Sequence, residues 1–156
     1  GSLLALYLGA QHTDITGLII CAPALNARNK FIYLAPLGSM FVKVIKKKRS
    51  GLMTRSMASE RWQGYAVDSL PALAQLLVLQ KTVRQRLHSI KHPILIFQGL
   101  LDQTIDLLCA QDVYEGVKSI DKELIWLQES THSVMLDKEW EVIAQRTKSF
   151  MSRLTS

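Results

Sequence analysis

Two side chains that could do acid–base chemistry, Asp102 and His132, each follow a short apolar run typical of a buried strand. The runs are residues 94–98 and 123–127. Because the carboxyl ends of neighbouring parallel strands meet at one edge of a sheet, we expect the two loops to lie side by side. A carboxylate that holds one imidazole nitrogen leaves the other nitrogen able to take a proton from a nucleophile. We therefore predict that His132 is a general base and Asp102 its orienting acid.

Each of these residues also has a simpler interpretation. His132 could cap the helix that follows it, and Asp102 could be a turn or cap residue, since Asp is common at both places. Asp106 is a rival acid, but its position predicts that it opens the next helix. Asp137 is close to His132 in sequence, and its position predicts a helix N-cap. Asp102 is preferred because it lies nearer the end of its strand.

The elements that must position this pair alternate between strand and helix. Continuous apolar runs at residues 17–22, 94–98 and 123–127 predict three parallel strands, each covered on both faces. Apolar stripes predict helices over residues 107–117 and 137–154. Residues 2–11 predict a helix that is apolar on nearly every face and hence buried. The alternation indicates an α/β sheet.

A long insertion separates the first two strands. Residues 25–87 show no strand pattern and predict an amphipathic helix at 39–48, a break at 49–51, and a helix from 70 to 80 that continues toward 87. A helical segment inserted above a parallel sheet commonly forms a lid. We thus predict a core at residues 1–24, a helical lid at 25–87, and further core at 88–156.

Composition narrows the class of protein. The chain has 156 residues, 48% of them hydrophobic and 21% charged, as in ordinary globular proteins. Its apolar runs are too short to span a membrane. Two widely spaced cysteines, Cys21 and Cys109, predict reduced thiols and a cytoplasmic location. Neither zinc spacing, nor G-x-G-x-x-G, nor a P-loop occurs, so we expect no metal and no cofactor.

The net charge of +6 comes partly from a basic run. This run predicts a solvated helix end; it gives weak support for contact with a membrane surface and none for nucleic acid, because aromatic residues are not interleaved with it. Its members are Lys43, Lys46, Lys47, Lys48 and Arg49. The oligomeric state stays open.

Several stretches carry a family resemblance. Tyr65, the Leu70-Pro71 step, residues 83–99 and the Asp102 loop resemble bacterial carboxylesterases and monoacylglycerol lipases of the α/β-hydrolase superfamily. Residues 126–137 are similar to that family's histidine loop, with Thr131 where Gly is more common. The resemblance covers essentially the whole chain. It implies the C-terminal half of an α/β-hydrolase fold and an ester hydrolase, acting on a small-molecule ester through a Ser-Asp-His triad.

The resemblance also implies where the nucleophile lies. The family's serine sits in a G-x-S-x-G elbow before a buried helix. The first helix here is similar to that one, with Gly1 matching the last glycine, so we expect the serine just before residue 1. Ser2 is no substitute, because Leu4 would obstruct the tight turn. We accordingly expect a chain from the interior of a longer protein, and a poor catalyst by itself.

The sequence also suggests residues for a substrate pocket, and it leaves two alternative functions open. The predicted lid supplies an apolar set that would form an acyl pocket or would simply pack the lid. This set comprises Phe31, Ile32, Met40, Phe41, Met53, Met57 and Trp62. A thioesterase or peptidase on the same fold is one alternative, since fold does not determine substrate. A non-catalytic α/β-hydrolase-like binding module is the other.

Overall fold

The structure, a computed structural model, describes residues 1–46 and 67–155. A three-stranded parallel sheet has the order β1 (Leu18–Cys21), β4 (Ile94–Gly99) and β5 (Lys122–Leu127). Leu18 pairs with Ile94, which in turn pairs with Lys122. The three predicted parallel strands are confirmed, with bounds that agree to within about one residue.

Helices cover both faces of this sheet. On one face lie α1 (Ser2–Gly9), α3 (Leu70–Arg86) and α4 (Leu108–Gly116), and on the other lies α5 (Trp140–Thr155). The central strand β4 is fully buried and serves both sides, because successive side chains of a strand point to opposite faces. Ile94 and Ile96 join the first core, and Leu95 and Phe97 join the second.

The first helix is less buried than its composition predicts. Only Leu3, Leu6 and Gly9 are buried, whereas Leu4 is 56% and Leu8 46% exposed. The helix packs one face against β1 and α3. The prediction of a helix buried all round is therefore wrong for the described residues.

The segment between β1 and β4 also differs from its prediction. Helix α2 is a single turn, Ala35–Gly38, and the chain then forms a strand, β2 (Val44–Lys46), antiparallel to β3 (Val67–Ser69). Over residues 39–46, the described part of the predicted helix at 39–48, the helix prediction is wrong, and the predicted lack of strands is wrong as well. The β-branched pair Val44 and Ile45 favours extended backbone, and the partner strand that stabilises it lies distant in sequence. The predicted break at 49–51 lies outside the described residues.

The long helix of this segment matches the sequence pattern. Helix α3 runs from Leu70 to Arg86, and the Ser69 side chain accepts a hydrogen bond from the Ala72 amide at its start. Pro71 lies in the first turn, where its missing amide proton costs no helical hydrogen bond. The predicted helix from residue 70 toward residue 87 is confirmed.

No helix in the described ranges is long and apolar enough to cross a membrane. Many apolar side chains near α2 and β2 are nevertheless exposed. Phe31 and Phe41 are 78% and 82% exposed, respectively.

The central position of β4 generates a stability prediction. Ile96 is fully buried in the first core, so Ile96→Ala should lower the free energy of unfolding by about 2–5 kcal/mol. The matched control is Ile120→Ala at a fully exposed position, which should change it by no more than about 0.5 kcal/mol. Chemical denaturation measures both. Equal losses would contradict the assignment of β4 as the centre of the core.

Candidate active site

Asp102 lies in the turn that follows β4. Its side chain is fully buried, and Oδ1 accepts hydrogen bonds from the Thr104 amide at 2.8 Å and the Ile105 amide at 3.2 Å. Burial opposes ionisation of this carboxyl. The hydrogen bond and charge of His132, together with the two backbone amides, outweigh burial and hold the pKa of Asp102 below its ordinary value. Asp102 is thus an anion at neutral pH.

His132 lies in the loop that follows β5. Its Nδ1 is 2.8 Å from Asp102 Oδ2, and 37% of the imidazole side chain is exposed. Because a carboxylate oxygen only accepts, Nδ1 donates and carries a proton. Nε2 of a neutral imidazole is then a proton acceptor. The expected proximity of Asp102 and His132 is observed, while their catalytic roles stay a prediction.

Asp106 and Asp137 are the other two acidic residues for which the sequence predicted a place at a helix start. Asp106 Oδ1 accepts from the amide of Leu108, the first residue of α4, which agrees with a position just before this helix, although Leu107 is the N-cap residue. Asp137 does not cap α5, which begins at Trp140, so the N-cap prediction is wrong. Its carboxylate points instead to the histidine loop.

The carboxylates of Asp137 and Glu139 accept hydrogen bonds from the histidine loop. Asp137 is fully buried, and its Oδ2 accepts from the Thr131 amide at 2.9 Å and from Thr131 Oγ1 at 2.7 Å. Glu139 accepts from the Gln128 and Glu129 amides, at 3.0 and 2.9 Å. These bonds fasten the backbone on the N-terminal side of His132. Sequence reasoning missed this role, although the close spacing of two acids after a histidine was a usable signal.

Gly99 allows the acid and histidine loops to approach each other. A Cβ atom at this position would lie 2.2 Å from the Ser130 carbonyl oxygen and 2.6 Å from that of Thr131. The loops are joined directly here, since the Leu101 amide donates to the Ser130 carbonyl at 3.1 Å. Any larger residue would push the loops apart.

A cavity of about 310 Å³ opens beside His132. It is lined mostly by apolar groups from α1, from the end of β1 and from α3. The lining residues are Gly1, Ser2, Leu3, Leu4, Cys21, Ala22, Ala24, Leu76, Leu79 and His132. The predicted pocket residues Phe31, Ile32, Met40 and Phe41 do not line it, and Met53, Met57 and Trp62 lie outside the described residues. Leu76 and Leu79 were missed as lining residues.

Two potential nucleophiles, Ser2 and Cys21, share this cavity with His132. The Ser2 hydroxyl donates to the Cys21 carbonyl oxygen. Burial raises the pKa of the Cys21 thiol, which therefore stays protonated at neutral pH and is a weak nucleophile. Among the hydrogen bonds of the described residues, none joins Ser2 or Cys21 to His132. Both cysteines of the chain are free thiols.

The chain turns sharply where β1 ends at the cavity. Ala22 has a φ of +46°, in the left-handed region that non-glycine residues rarely adopt, and it is buried. Its amide donates to the Phe97 carbonyl at 2.9 Å, which extends the pairing of β1 with β4. Such strain costs on the order of 1–3 kcal/mol and often occurs near functional sites.

Among the described side chains, His, Cys, Asp and Glu form no group of three or more that could hold a metal ion. The chemistry available at this site is that of a buried carboxylate, an imidazole and an adjoining apolar cavity.

Known proteins share this arrangement of elements. The family model described as "Serine aminopeptidase, S33" (Hydrolase_4) matches residues 1–139. The chain belongs to this hydrolase family. Its likeness to solved structures concerns the fold. The chain is similar to a structure reported for the metagenome-derived lipolytic enzymes LipS and LipT, with a TM-score of 0.87, 23% identity, and coverage of 97% of this chain and 61% of the other. The fold is a partial α/β-hydrolase fold, as the resemblance implied.

Of two curated relatives of this S33 family member, one is named a carboxylesterase and the other a monoacylglycerol lipase. The chain is 27% identical to a carboxylesterase of Bacillus subtilis (strain 168), over 99% of this chain and 61% of that protein. It is 26% identical to a thermostable monoacylglycerol lipase of Bacillus sp. (strain H-257), over 98% of this chain and 60% of that protein. The chain therefore spans about three fifths of the length of these relatives.

The tight contact at Gly99 can be tested by substitution. Gly99→Ala should lower the free energy of unfolding by about 1–3 kcal/mol, the cost of overpacking a buried contact. It should also weaken the downfield NMR signal of the His132 Nδ1 proton, because the loops separate. The control Gly38→Ala meets only the flexible Leu70 side chain at 3.3 Å and should leave that signal in place. An unchanged signal in Gly99→Ala would refute this role of the glycine.

The Asp137 contacts generate a second test. Asp137→Ala removes a charged acceptor from the two partly buried donors of Thr131 and should lower the free energy of unfolding by about 1.5–3 kcal/mol. Asp137→Asn keeps one carbonyl oxygen as an acceptor for Thr131 and should lower the free energy of unfolding by less. The control is Asp14→Ala at an exposed position, which should change the free energy of unfolding by no more than about 0.5 kcal/mol. Thermal and chemical denaturation measure the three variants; equal effects of Asp137→Ala and Asp14→Ala would exclude a role for Asp137 in holding the loop.

Proposed function

We propose that the protein is a carboxylic ester hydrolase in which His132 is the general base and Asp102 orients it. In this proposal a serine in the residues that precede Gly1 in the complete protein is the nucleophile. The observation that carries the proposal is the 2.8 Å contact between His132 Nδ1 and Asp102 Oδ2 beside an apolar cavity. The carboxylesterase and monoacylglycerol lipase among its relatives support the same chemistry.

The proposed reaction has two steps. The serine hydroxyl attacks the ester carbonyl while His132 Nε2 takes its proton, and the imidazolium then protonates the departing alcohol. Water then gives a proton to the same nitrogen and attacks the acyl carbonyl, and that proton passes to the serine oxygen as the carboxylic acid is released. Asp102 stabilises the imidazolium throughout, because its buried negative charge is close to the protonated ring. The amide after the serine and one from an earlier strand-to-helix loop would bind the oxyanion.

The cavity suggests the kind of acyl group. A volume of about 310 Å³ with walls of Leu3, Leu76 and Leu79 suits a neutral acyl chain of modest length. His132 also lines this cavity, so an ester bound in the cavity lies beside the imidazole. We accordingly propose a small-molecule ester as the substrate.

A peptidase is the second candidate, and the description of the family favours it. An aminopeptidase must bind the ammonium group of its substrate, and a carboxylate in the pocket usually does this. The described lining of the cavity includes no Asp or Glu. This apolar lining favours an ester with an uncharged acyl group.

The division of the chain is part of the proposal. Residues 1–24 and 88–156 would form the core, and residues 25–87 the lid. Helix α3 ties this lid to the site, because Gln80 Nε2 donates to the Ala24 carbonyl at 2.6 Å and Arg84 to the Leu25 carbonyl at 2.5 Å. The two free thiols suit a reducing compartment such as the cytoplasm.

The activity can be tested with the complete protein and p-nitrophenyl esters of short acyl chains. His132→Ala should lower kcat by about 10³-fold or more, and Asp102→Asn by up to about 10⁴-fold. His88→Ala, at an exposed histidine that does not line the cavity, is the matched control and should retain activity. Activity toward aminoacyl p-nitroanilides in place of esters would favour the peptidase instead. Full ester activity in His132→Ala would refute the proposed base.

The serine can be located directly. A fluorophosphonate probe should label one serine of the complete protein, and mass spectrometry of the labelled peptide should place it before Gly1. Labelling should be lost in His132→Ala and kept in His88→Ala. A label on Ser2 would contradict the proposed nucleophile, and a folded protein that neither reacts with the probe nor hydrolyses esters would favour the non-catalytic binding module.

A further inference from the structure

Another donor reaches the Asp102 carboxylate from the strand behind it. Gln98 is fully buried in β4, and its Nε2 donates to Asp102 Oδ2 at 3.2 Å and to the Gly99 carbonyl at 3.1 Å. Oδ2 is also the oxygen that His132 Nδ1 contacts at 2.8 Å. Gln98 and His132 therefore share one carboxylate oxygen.

The other end of the Gln98 amide is left without a partner. Gln98 Oε1 is buried and has no hydrogen-bond partner among the described residues. Most buried acceptors are paired, because an unpaired one has lost its water without compensation. Turning the amide over would direct Oε1 at the oxygens of Asp102 and Gly99, which is worse. The amide orientation is thus dictated by the two acceptors that Nε2 contacts.

A purely structural role does not account for this residue. An apolar side chain of similar volume would fill the same buried space without an orphan acceptor. Gln98 keeps the acceptor unpaired and gains a donor to Asp102. Functional sites are the places where such a local cost is commonly retained.

We propose that Gln98 is a positioning residue of the acid–base pair, which holds the Asp102 carboxylate in place and moderates its pull on the His132 proton. The catalytic consequence rests on the proposed function. The coupling of the three side chains does not, because it depends only on hydrogen bonds that the chain itself contains.

The sign of the coupling follows from electrostatics. The positive end of the Nε2–H dipole lies against Oδ2 and offsets part of the carboxylate's negative charge. Without that donor, Asp102 would attract the imidazolium form of His132 more strongly. The titration midpoint of His132 should then move to higher pH.

Other ionisable groups surround the pair and must stay constant in the test. Arg28 donates to the Asp102 backbone carbonyl at 3.5 Å, and Cys21 lines the cavity beside His132. Asp106 follows in the acid loop, and Asp137 and Glu139 hold the histidine loop. Substitution of the neutral Gln98 changes none of these charges.

The first experiment measures the His132 titration by NMR in the complete protein, with the His132→Gln spectrum to assign its signals. Gln98→Met fills similar space without a donor and should shift the protonation equilibrium about threefold to tenfold toward imidazolium. The matched control is Gln80→Met, because Gln80 is another buried glutamine whose Nε2 donates to a backbone carbonyl. This control should leave the midpoint in place. A folded Gln98→Met variant with an unshifted midpoint would overturn the inference.

A measurement on the unaltered protein avoids any dependence on folding of the variant. The Gln98 side-chain amide signals should move over the same pH range in which His132 titrates, whereas those of Gln80 should not. Gln98 signals that stay constant across this range would also overturn the inference.

Kinetics separate this inference from the proposed function. In Gln98→Met, kcat for a short-chain aryl ester should fall about tenfold with KM unchanged, because a less well held Asp102 leaves the imidazole less well oriented. The acid limb of the kcat/KM profile should move to higher pH, which a general loss of folded protein would not cause. Absence of ester hydrolysis in the unaltered protein would defeat the proposed function, yet the NMR result would still decide the coupling. An active enzyme with an unmoved profile in Gln98→Met would defeat the inference alone.

Discussion

A carboxylate without access to water is stable as an anion only when donors surround it. Asp102 satisfies this requirement with the Thr104 and Ile105 amides on one oxygen and with Gln98 and His132 on the other. The four donors come from the end of β4, from the loop that follows it, and from the loop after β5. Each of these elements must therefore be in register before the charge can be buried. Burial of the Asp102 charge therefore depends on the correct packing of β4 and of the loops that follow β4 and β5.

The histidine loop is constrained from two sides. The acid loop contacts it across Gly99, where no side chain would fit, and Asp137 and Glu139 hold its backbone from the turn that precedes α5. Under the proposed function, an imidazole held in this way would lose little entropy when a substrate binds. The loop residues other than His132 thus contribute by restricting its motion.

The insertion between β1 and β4 participates in both the core and the cavity. β1 and β4 are hydrogen-bonded neighbours although the whole insertion separates them along the chain. Helix α3 supplies Val83 to the core, Leu76 and Leu79 to the cavity wall, and Gln80 to the carbonyl of Ala24. Because Leu76 and Leu79 line the same cavity as His132, a shift of the insertion would change the shape of that cavity.

The amino-acid pattern alone determined the parallel strands, the helices α3 to α5 and the pairing of Asp102 with His132, because apolar periodicity and position after a strand are local properties. It did not determine the strand at Val44–Lys46, whose partner at Val67–Ser69 is distant in sequence, or the role of Asp137, whose donors belong to a loop rather than to the helix it precedes. The donor from Gln98 and the close contact at Gly99 were likewise decided only by tertiary structure. Both depend on which atoms lie within about 3 Å once two loops have packed together, and no local pattern in the chain encodes that distance.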